Sequence, residues 1–364
     1  MTYQIFARKW RPENFKEVIG QKYIIKALSN SIKLQRIHQA WILCGTRGVG
    51  KTTIARILAK CLNCRKKISI KPCKKCKSCK EIKKNCNPDL IEIDAASKTK
   101  VEDIKELLEN SKYSPIKERF KIFLIDEVHM LSRYSFNALL KTLEEPPKHV
   151  KFIFATTNIE KIPQTIVSRC ILLHLKKIKE KKIRYQLKKI LKHEEIFFEQ
   201  KTLQLISSAA NGSMRDALSL IEQAIAIGNG KIFKKNVKKM LGIYKYENFI
   251  HLISAILDKK IKKIYFFQEK ILSLDVEPDK ILIELLNLLH YIYVLKLYSI
   301  KWKTKKYNDN HIKILKNISQ KKSFTEIQNC YSILLNGRKD LPFSPSKKLG
   351  MEMTLLKTLE IKKS

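Results

Sequence analysis

Negative charge is what this sequence has least of: 34 Asp and Glu stand against 74 Lys and Arg, a formal net charge of +40. That field favours nucleic acid, RNA or anionic lipid as partner. Arginine is scarce too, at 12 of the 74 basic residues. The excess is therefore lysine spread along the whole chain, the mark of a coding bias. It permits nonspecific, salt-sensitive DNA affinity without naming a DNA site. Lysine cannot copy the planar guanidinium fork, so each arginine carries more geometric information here than usual. An apolar stretch is missing from Met1–Arg11, which excludes a visible secretory signal. A long uninterrupted hydrophobic run is missing as well. The most apolar segment, Ile281–Ile300, is broken by Glu284, Asn287, His290 and Lys296, so it reads as a buried helix and no membrane association is expected. There is no internal repeat and no Pro- or Ser-rich linker. Without a signal, nine cysteines point to metal rather than to disulfides, and the chain is expected to be cytoplasmic.

What is present is a globular chain, 44% hydrophobic over 364 residues, long enough for two or three domains. Short apolar runs at Ala40–Cys44, Leu90–Ile93, Phe120–Ile125, Phe152–Thr156 and Ile171–Leu175 predict buried strands. Helical patterns lie between them, as in a parallel sheet of an α/β domain. After Lys176 the strands stop. Ile178 to about Gly242 reads as a small helical bundle broken at Gly212 and Gly228. From about residue 243 the pattern stays helical, with a stripe through Ile281, Leu282, Leu285, Leu288, Leu289 and Ile292.

Gly45-Thr46-Arg47-Gly48-Val49-Gly50-Lys51-Thr52, followed by Thr53, fits the phosphate-binding loop at every position, with a strand before it and a helix after it. Its glycines let backbone N–H groups close around phosphate oxygens. Lys51 is expected to reach the β- and γ-phosphates of ATP and Thr52 to ligate Mg²⁺. An apolar strand ending in Asp126-Glu127 supplies the second half of such a site: Asp126 for Mg²⁺, Glu127 to polarise the attacking water. Thr157, at the end of the next strand, is placed to touch both γ-phosphate and water, although Thr-Asn is also ordinary turn chemistry. Arg169 sits before the last strand. Arg215 follows Gly212-Ser213 in a first helical turn, where a cation opposes the helix dipole and so suggests an anionic partner. Cys64, Cys73, Cys76 and Cys79 form C-x8-C-x2-C-x2-C, a spacing for structural, tetrahedral Zn²⁺, with Cys86 as rival ligand. Cys61 continues the core stripe of Ile54, Ile57 and Leu58, while Cys44, Cys170 and Cys330 read as buried.

These stretches resemble the gamma/tau family of bacterial DNA polymerase III clamp-loader subunits. The likeness rests on Ala7-Arg8-Lys9-Trp10-Arg11-Pro12, on Gly45–Thr53, on the four cysteines and on Asp94-Ala95-Ala96-Ser97. It continues through residues 124–132, 137–147 (ending Leu143-Glu144-Glu145-Pro146-Pro147), 168–170 and 212–219. It is strong over residues 1–242. The resemblance implies an AAA+ nucleotide-binding domain over 1–178 with a zinc-binding insertion at about 61–86. A helical lid over 179–242 and an all-α collar over 243–364 follow. It implies a DNA-dependent ATPase within a hetero-pentamer that loads the sliding clamp onto primed DNA beside the polymerase III core. Such a subunit is classed with DNA-directed DNA polymerase, although nothing here carries nucleotidyl transfer. It further implies that Thr157 and Arg215 act as sensors, that Arg169 is an arginine finger serving a neighbour's ATP, and that Arg8, Arg11 and Pro12 line the adenine site. Longer members carry helicase- and polymerase-tethering domains, and because this chain stops at Ser364, helicase tethering is not expected of it. The alternatives are another AAA+ DNA motor, such as a branch-migration helicase, and a zinc-dependent scaffold with a vestigial ATP site. The intact Lys51, Thr52, Asp126 and Glu127 oppose the second. Lys98, Lys100, Ser132 and Arg133 are expected to contact DNA phosphates.

Overall fold

The computed structural model describes residues 4–97, 101–242, 246–274, 276–297 and 309–360. The chain divides into two compact units, Met1–Val237 and Lys238–Ser364.

The first unit opens with a short helix α1 (Phe6–Lys9) and α2 (Lys22–Lys33). A five-stranded sheet follows, built from β1 (Ala40–Cys44), β2 (Leu90–Asp94), β3 (Lys121–Asp126), β4 (Val150–Thr156) and β5 (Ile171–His174). The order is β2-β3-β4-β1-β5, and every pairing is parallel. Parallel strands need crossovers, and helices supply them: α3 (Lys51–Asn63), α4 (Lys77–Lys84), α5 (Val101–Ser111), α6 (Arg133–Glu144) and α7 (Gln164–Val167). The result is three layers. On one face Ile24, Leu28 and Ile32 of α2 and Ile54, Ile57 and Leu58 of α3 pack on Trp41, Leu43, Ile122, Leu124 and Ile153. On the other, Phe136, Leu139 and Leu143 of α6 meet Ile42, Phe123, Ile125, Phe152 and Phe154. The central strands β1, β3 and β4 are buried almost throughout and read as continuous apolar runs for that reason. β2 and β5 correct the expectation of burial. They are the sheet edges, and Glu92 and His174 are exposed.

The lid that follows comprises α8 (Glu180–His193), α9 (Gln200–Ala209) and α10 (Met214–Ile227), and α11 (Lys234–Met240) crosses the boundary between the units. Ile183, Leu187, Ile190 and Leu191 are spaced at helical intervals and buried, as are Leu203 and Ile206 on α9 and Leu218 and Ile221 on α10.

The second unit is helical among the described residues: α12 (Tyr246–Leu257), α13 (Ile261–Leu272), α14 (Pro278–Leu297), α15 (Asp309–Lys321), α16 (Phe324–Asp340) and α17 (Lys347–Lys357). The apolar stripe read from the sequence lies on α14, and Ile281, Leu282, Leu285, Leu288, Leu289 and Ile292 are at most 0% exposed. α12, α15, α16 and α17 all pack against it. Ser323 and Glu326 close a capping box at the start of α16. No described helix is long and apolar enough to cross a membrane.

Candidate functional site

The parallel sheet brings the three nucleotide motifs together, because ligands of such sheets sit at the carboxyl ends of the strands. β1 lies between β4 and β5, and β3 lies on the far side of β4. The loop after β1, the carboxylates ending β3 and the threonine ending β4 therefore meet at one edge.

Gly45–Gly50 leads from β1 into α3, and Gly50 caps that helix at φ +105°, a conformation that a side chain would strain. Gly48 has φ +76°, and a Cβ there would lie 1.9 Å from Ser213 Oγ of the lid. The backbone N–H of Met214 also donates to Gly48 O at 3.0 Å. The first turn of α10 thus closes directly on the phosphate-binding loop and carries Arg215 there. The Lys51 ammonium is nearly buried and donates to Gly45 O at 2.8 Å, with Glu127 Oε1 3.9 Å away. Burial holds its pKa below that of an ordinary lysine, while Glu127 and Asp126 oppose the shift. The Thr52 hydroxyl donates to Asp126 Oδ2 at 2.6 Å. These two hard oxygens suit Mg²⁺, whose octahedral ligands at about 2.1 Å lie about 3 Å apart.

Glu127 sits at φ 48°, the left-handed region where a non-glycine residue is strained, and such strain collects at functional positions. Its Oε2 accepts from Thr157 N at 3.1 Å and from Thr157 Oγ1 at 3.0 Å. The expected sensor therefore grips the expected water-activating carboxylate.

The N-terminal segment is pinned to the lid. Phe6 N donates to Glu222 Oε1 at 2.5 Å, Lys9 Nζ to Glu194 Oε2 at 2.6 Å and Trp10 Nε1 to Glu194 Oε1 at 2.9 Å. Trp10 stands edge-on to His193 at 4.9 Å. This holds Pro12 half-buried and Arg11 among Arg56, Arg215 and Arg8, with Glu92 beyond. Burial first, then the neighbouring Arg56, lowers the Arg11 pKa from its ordinary value. Convergent guanidiniums with too little counter-charge call for an anion.

The four cysteines come together as their spacing predicts. The Sγ atoms of Cys64, Cys73, Cys76 and Cys79 lie within 4.8 Å of one another. A Zn²⁺ with Zn–S of about 2.3 Å needs sulfurs about 3.8 Å apart, a small contraction. Backbone N–H groups already point at sulfur: Cys73 N to Cys64 Sγ at 3.4 Å, Cys76 N to Cys73 Sγ at 3.3 Å and Cys79 N to Cys76 Sγ at 3.5 Å. Such donors favour thiolates, and they draw Cys73 down to about 6, whereas burial pushes Cys79 up. The residues fit zinc. Cys86 is exposed, with its thiol 3.6 Å from Glu81 O, and stands outside the cluster. Cys61, Cys44 and Cys330 are buried, but Cys170, just before the edge strand β5, is only half-buried.

Arg169 lies apart from its own phosphate-binding loop in the bonds it makes. Its Nη2 donates to Glu144 Oε1 at 2.6 Å and its Nη1 to Thr165 O at 2.8 Å. Ser132 caps α6 by accepting from Ser135 N at 3.1 Å, and Arg133 beside it is exposed. Lys98 and Lys100 lie outside the described residues.

Sequence reasoning missed Ser213, which meets Gly48, and Glu194 and Glu222, which anchor the N-terminus. It also missed His129 beside Glu127 and Glu144 beside Arg169. Four of these five contacts join residues far apart in the chain. Only the adjacency of His129 to the acidic pair hinted at one of them.

The site and sheet define a P-loop ATPase of the AAA+ class. Three sequence families match in succession: "DNA polymerase III, delta subunit" over residues 20–179, "DNA polymerase III clamp loader subunit, ATPase lid domain" over 182–230, and "DNA polymerase III subunits gamma and tau domain III" over 232–363. The chain is 52% identical to DNA polymerase III subunit gamma of Buchnera aphidicola subsp. Acyrthosiphon pisum (strain APS), covering 99% of both chains. It is 47% identical to the tau subunit of Escherichia coli (strain K12), over 99% of this chain and 56% of that one. Among solved structures, a Thermotoga maritima RuvB Holliday junction branch migration motor aligns at TM-score 0.49 and 20% identity, over 70% of this chain and 80% of that one. The chain belongs to the gamma/tau subunit family of the DNA polymerase III clamp loader.

Proposed function

We propose that this subunit couples ATP binding and hydrolysis to loading of the ring-shaped sliding clamp onto primed DNA, in the cytoplasm, within a hetero-pentamer serving the polymerase III core. The observation that carries the reading is the set of three contacts at the strand ends: Thr52 to Asp126 at 2.6 Å, Thr157 to Glu127 at 3.0 Å, and Lys51 beside Glu127. A vestigial site has no reason to keep a strained glutamate gripped from two sides.

In this reading the backbone of Gly45, Thr46, Arg47, Gly48, Val49, Gly50, Lys51, Thr52 and Thr53 cradles the phosphates. Arg8, Arg11 and Pro12 face the adenosine end. Thr52 and Asp126 hold Mg²⁺, which when bound neutralises charge on the β- and γ-phosphates. Glu127 orients water for in-line attack on the γ-phosphorus and takes its proton. Arg215 reports the γ-phosphate to the lid, and Arg169 reaches a neighbour's nucleotide. Cys64, Cys73, Cys76 and Cys79 hold a structural zinc. The corresponding division is a nucleotide-binding domain to residue 178, a lid to 242 and a collar beyond.

ATP turnover by the assembled loader tests the reading. Primed DNA together with the clamp should stimulate it more than either alone, and junction DNA should not. Stimulation by junction DNA without any response to clamp would reassign the chain to another DNA motor.

A further inference from the structure

The one-turn 3₁₀ helix Val128–Met130 places His129 directly behind the candidate water-activating glutamate. Its side chain is 11% exposed, and Nδ1 lies 3.1 Å from Thr156 Oγ1 and 3.4 Å from Glu127 Oε2. The proton on that nitrogen can be assigned by elimination. A hydroxyl has a single proton, and Thr156 Oγ1 gives its own to Asn158 O at 2.9 Å while accepting the Asn158 N–H at 3.0 Å. Thr156 therefore has only a lone pair left for His129. Glu127 Oε2 is a carboxylate oxygen and accepts only. Both neighbours require Nδ1 to carry hydrogen, so His129 donates to Thr156 Oγ1 and turns the same N–H toward Glu127 Oε2 at 3.4 Å.

Glu127 Oε2 then accepts from Thr157 N–H and Thr157 Oγ1–H, and the His129 Nδ1–H faces it at 3.4 Å. Oε1 is left facing Lys51, on the side of the phosphate-binding loop. Thr156 is fully buried and pairs with Cys44 across the sheet, so the imidazole is tied to the strand that leads into that loop. The whole bracket fixes a side chain whose backbone is itself strained at φ 48°.

We infer that His129 is a positioning residue for ATP hydrolysis: its Nδ1–H, anchored on Thr156, holds Glu127 Oε2 so that Oε1 is presented to the attacking water. The inference rests on the proposed role of Glu127. His129 itself touches neither nucleotide nor water in this reading.

The test is steady-state ATPase of the full chain assembled with the other clamp-loader subunits, with ATP binding measured alongside. His129→Ala should lower kcat by at least about tenfold, the scale on which loosened positioning acts, and leave KM within about twofold. His129→Asn places an amide N–H near the position of Nδ1 and should recover most of the loss. His129→Gln is an equally polar substitution whose amide reaches only toward the position of Nε2, and it should not. A merely structural role would be served by neither amide or by both alike. His129→Ala turning over within twofold of wild type would overturn the inference, as would Asn and Gln variants that behave alike. If the Ala variant fails to fold, the Asn–Gln comparison decides. Glu127→Gln separates the two readings. Its retaining activity removes the premise, whereas a dead Glu127→Gln with an active His129→Ala removes only the role of His129.

Discussion

At the scale of single residues, the site separates binding from chemistry. Lys51 is nearly buried against the loop carbonyls, so Lys51→Ala removes the cation that meets the phosphates. It should abolish ATP binding measured with a fluorescent analogue. Glu127 makes no contact with the loop backbone, so Glu127→Gln should bind ATP close to wild type while turnover falls by about 10²–10⁴. Normal steady-state turnover in that variant would sink the assignment. Residue chemistry away from the site also has a consequence. Lys151, on β4, is 3% exposed, contacts Gln39 and lies 5.2 Å from the Phe120 ring, and burial lowers its pKa from 10.5 to about 8. Below pH 8 the folded state keeps this charge in a dry site. Between about 8 and 10.5 the unfolded chain binds the extra proton, so stability rises with pH across that window. Lys151→Met should therefore be more stable than wild type at pH 7, by roughly 2 kcal/mol after losing the Gln39 contact, and the gap should close by pH 10.5. Parallel urea titrations at both pH values check it. Gly48, Lys51, Thr52, Asp126 and Glu127 were legible in the sequence because each belongs to a short local motif, the loop Gly45–Thr52 or the strand-ending pair Asp126-Glu127. Lys151 was not, since one lysine among so many carries no mark of burial until the strands are paired.

At the scale of elements, the sheet was readable almost to the residue, because central parallel strands are buried on both faces and appear as unbroken apolar runs. The edges were not. Leu90–Ile93 reads as a buried strand despite Glu92, and the pairing order makes it an edge where Glu92 is exposed and meets Arg56 at 2.6 Å. The cysteine insertion was readable as a cluster of four sulfurs, and its fold explains why Cys86 stands outside that cluster. Asn85 ends α4 at φ 60°, a left-handed cap that turns the chain before Cys86 reaches the sulfur cluster. The purified chain should carry about one zinc per polypeptide. Cys64→Ser, Cys73→Ser, Cys76→Ser and Cys79→Ser should each lose it, and Cys86→Ser should keep it. Metal analysis showing the reverse for Cys86 and Cys64 would mean that the ligand set is wrong. Removing zinc with a chelator should also loosen the end of α3 and the segment leading into β3, because the cluster is tied to them: Arg119 donates to Cys64 O at 2.7 Å, and Ser78 to Asn63 O at 2.8 Å.

At the scale of the whole molecule, Arg169 is the residue whose own chain explains it least. Its guanidinium is held by Glu144 and by Thr165 O, with side chains 35% and 51% exposed for the ion pair. An exposed pair of this kind contributes about 0–1 kcal/mol, since water solvates both partners. An arginine finger on a transferring phosphate is worth about 10³–10⁵ in rate, several kcal/mol at the transition state. The magnitudes decide between the two partners: Glu144 can orient the guanidinium, but it cannot keep Arg169 from a neighbour's γ-phosphate. We therefore expect Arg169 to work in trans. An Arg169→Ala subunit should bind ATP nearly as well as wild type and fail to activate its neighbour, while a Lys51→Ala subunit binds no ATP yet still presents its arginine. Assembled together, the two should restore turnover wherever an intact phosphate-binding loop faces an intact Arg169. ATPase in the mixture should exceed the sum of the two variants alone, with mixed assembly verified by pull-down. Glu144→Ala should leave much of that complementation standing, because the pair it breaks is weak. No gain over the sum in a verified mixed assembly would return Arg169 to a surface ion pair within its own domain.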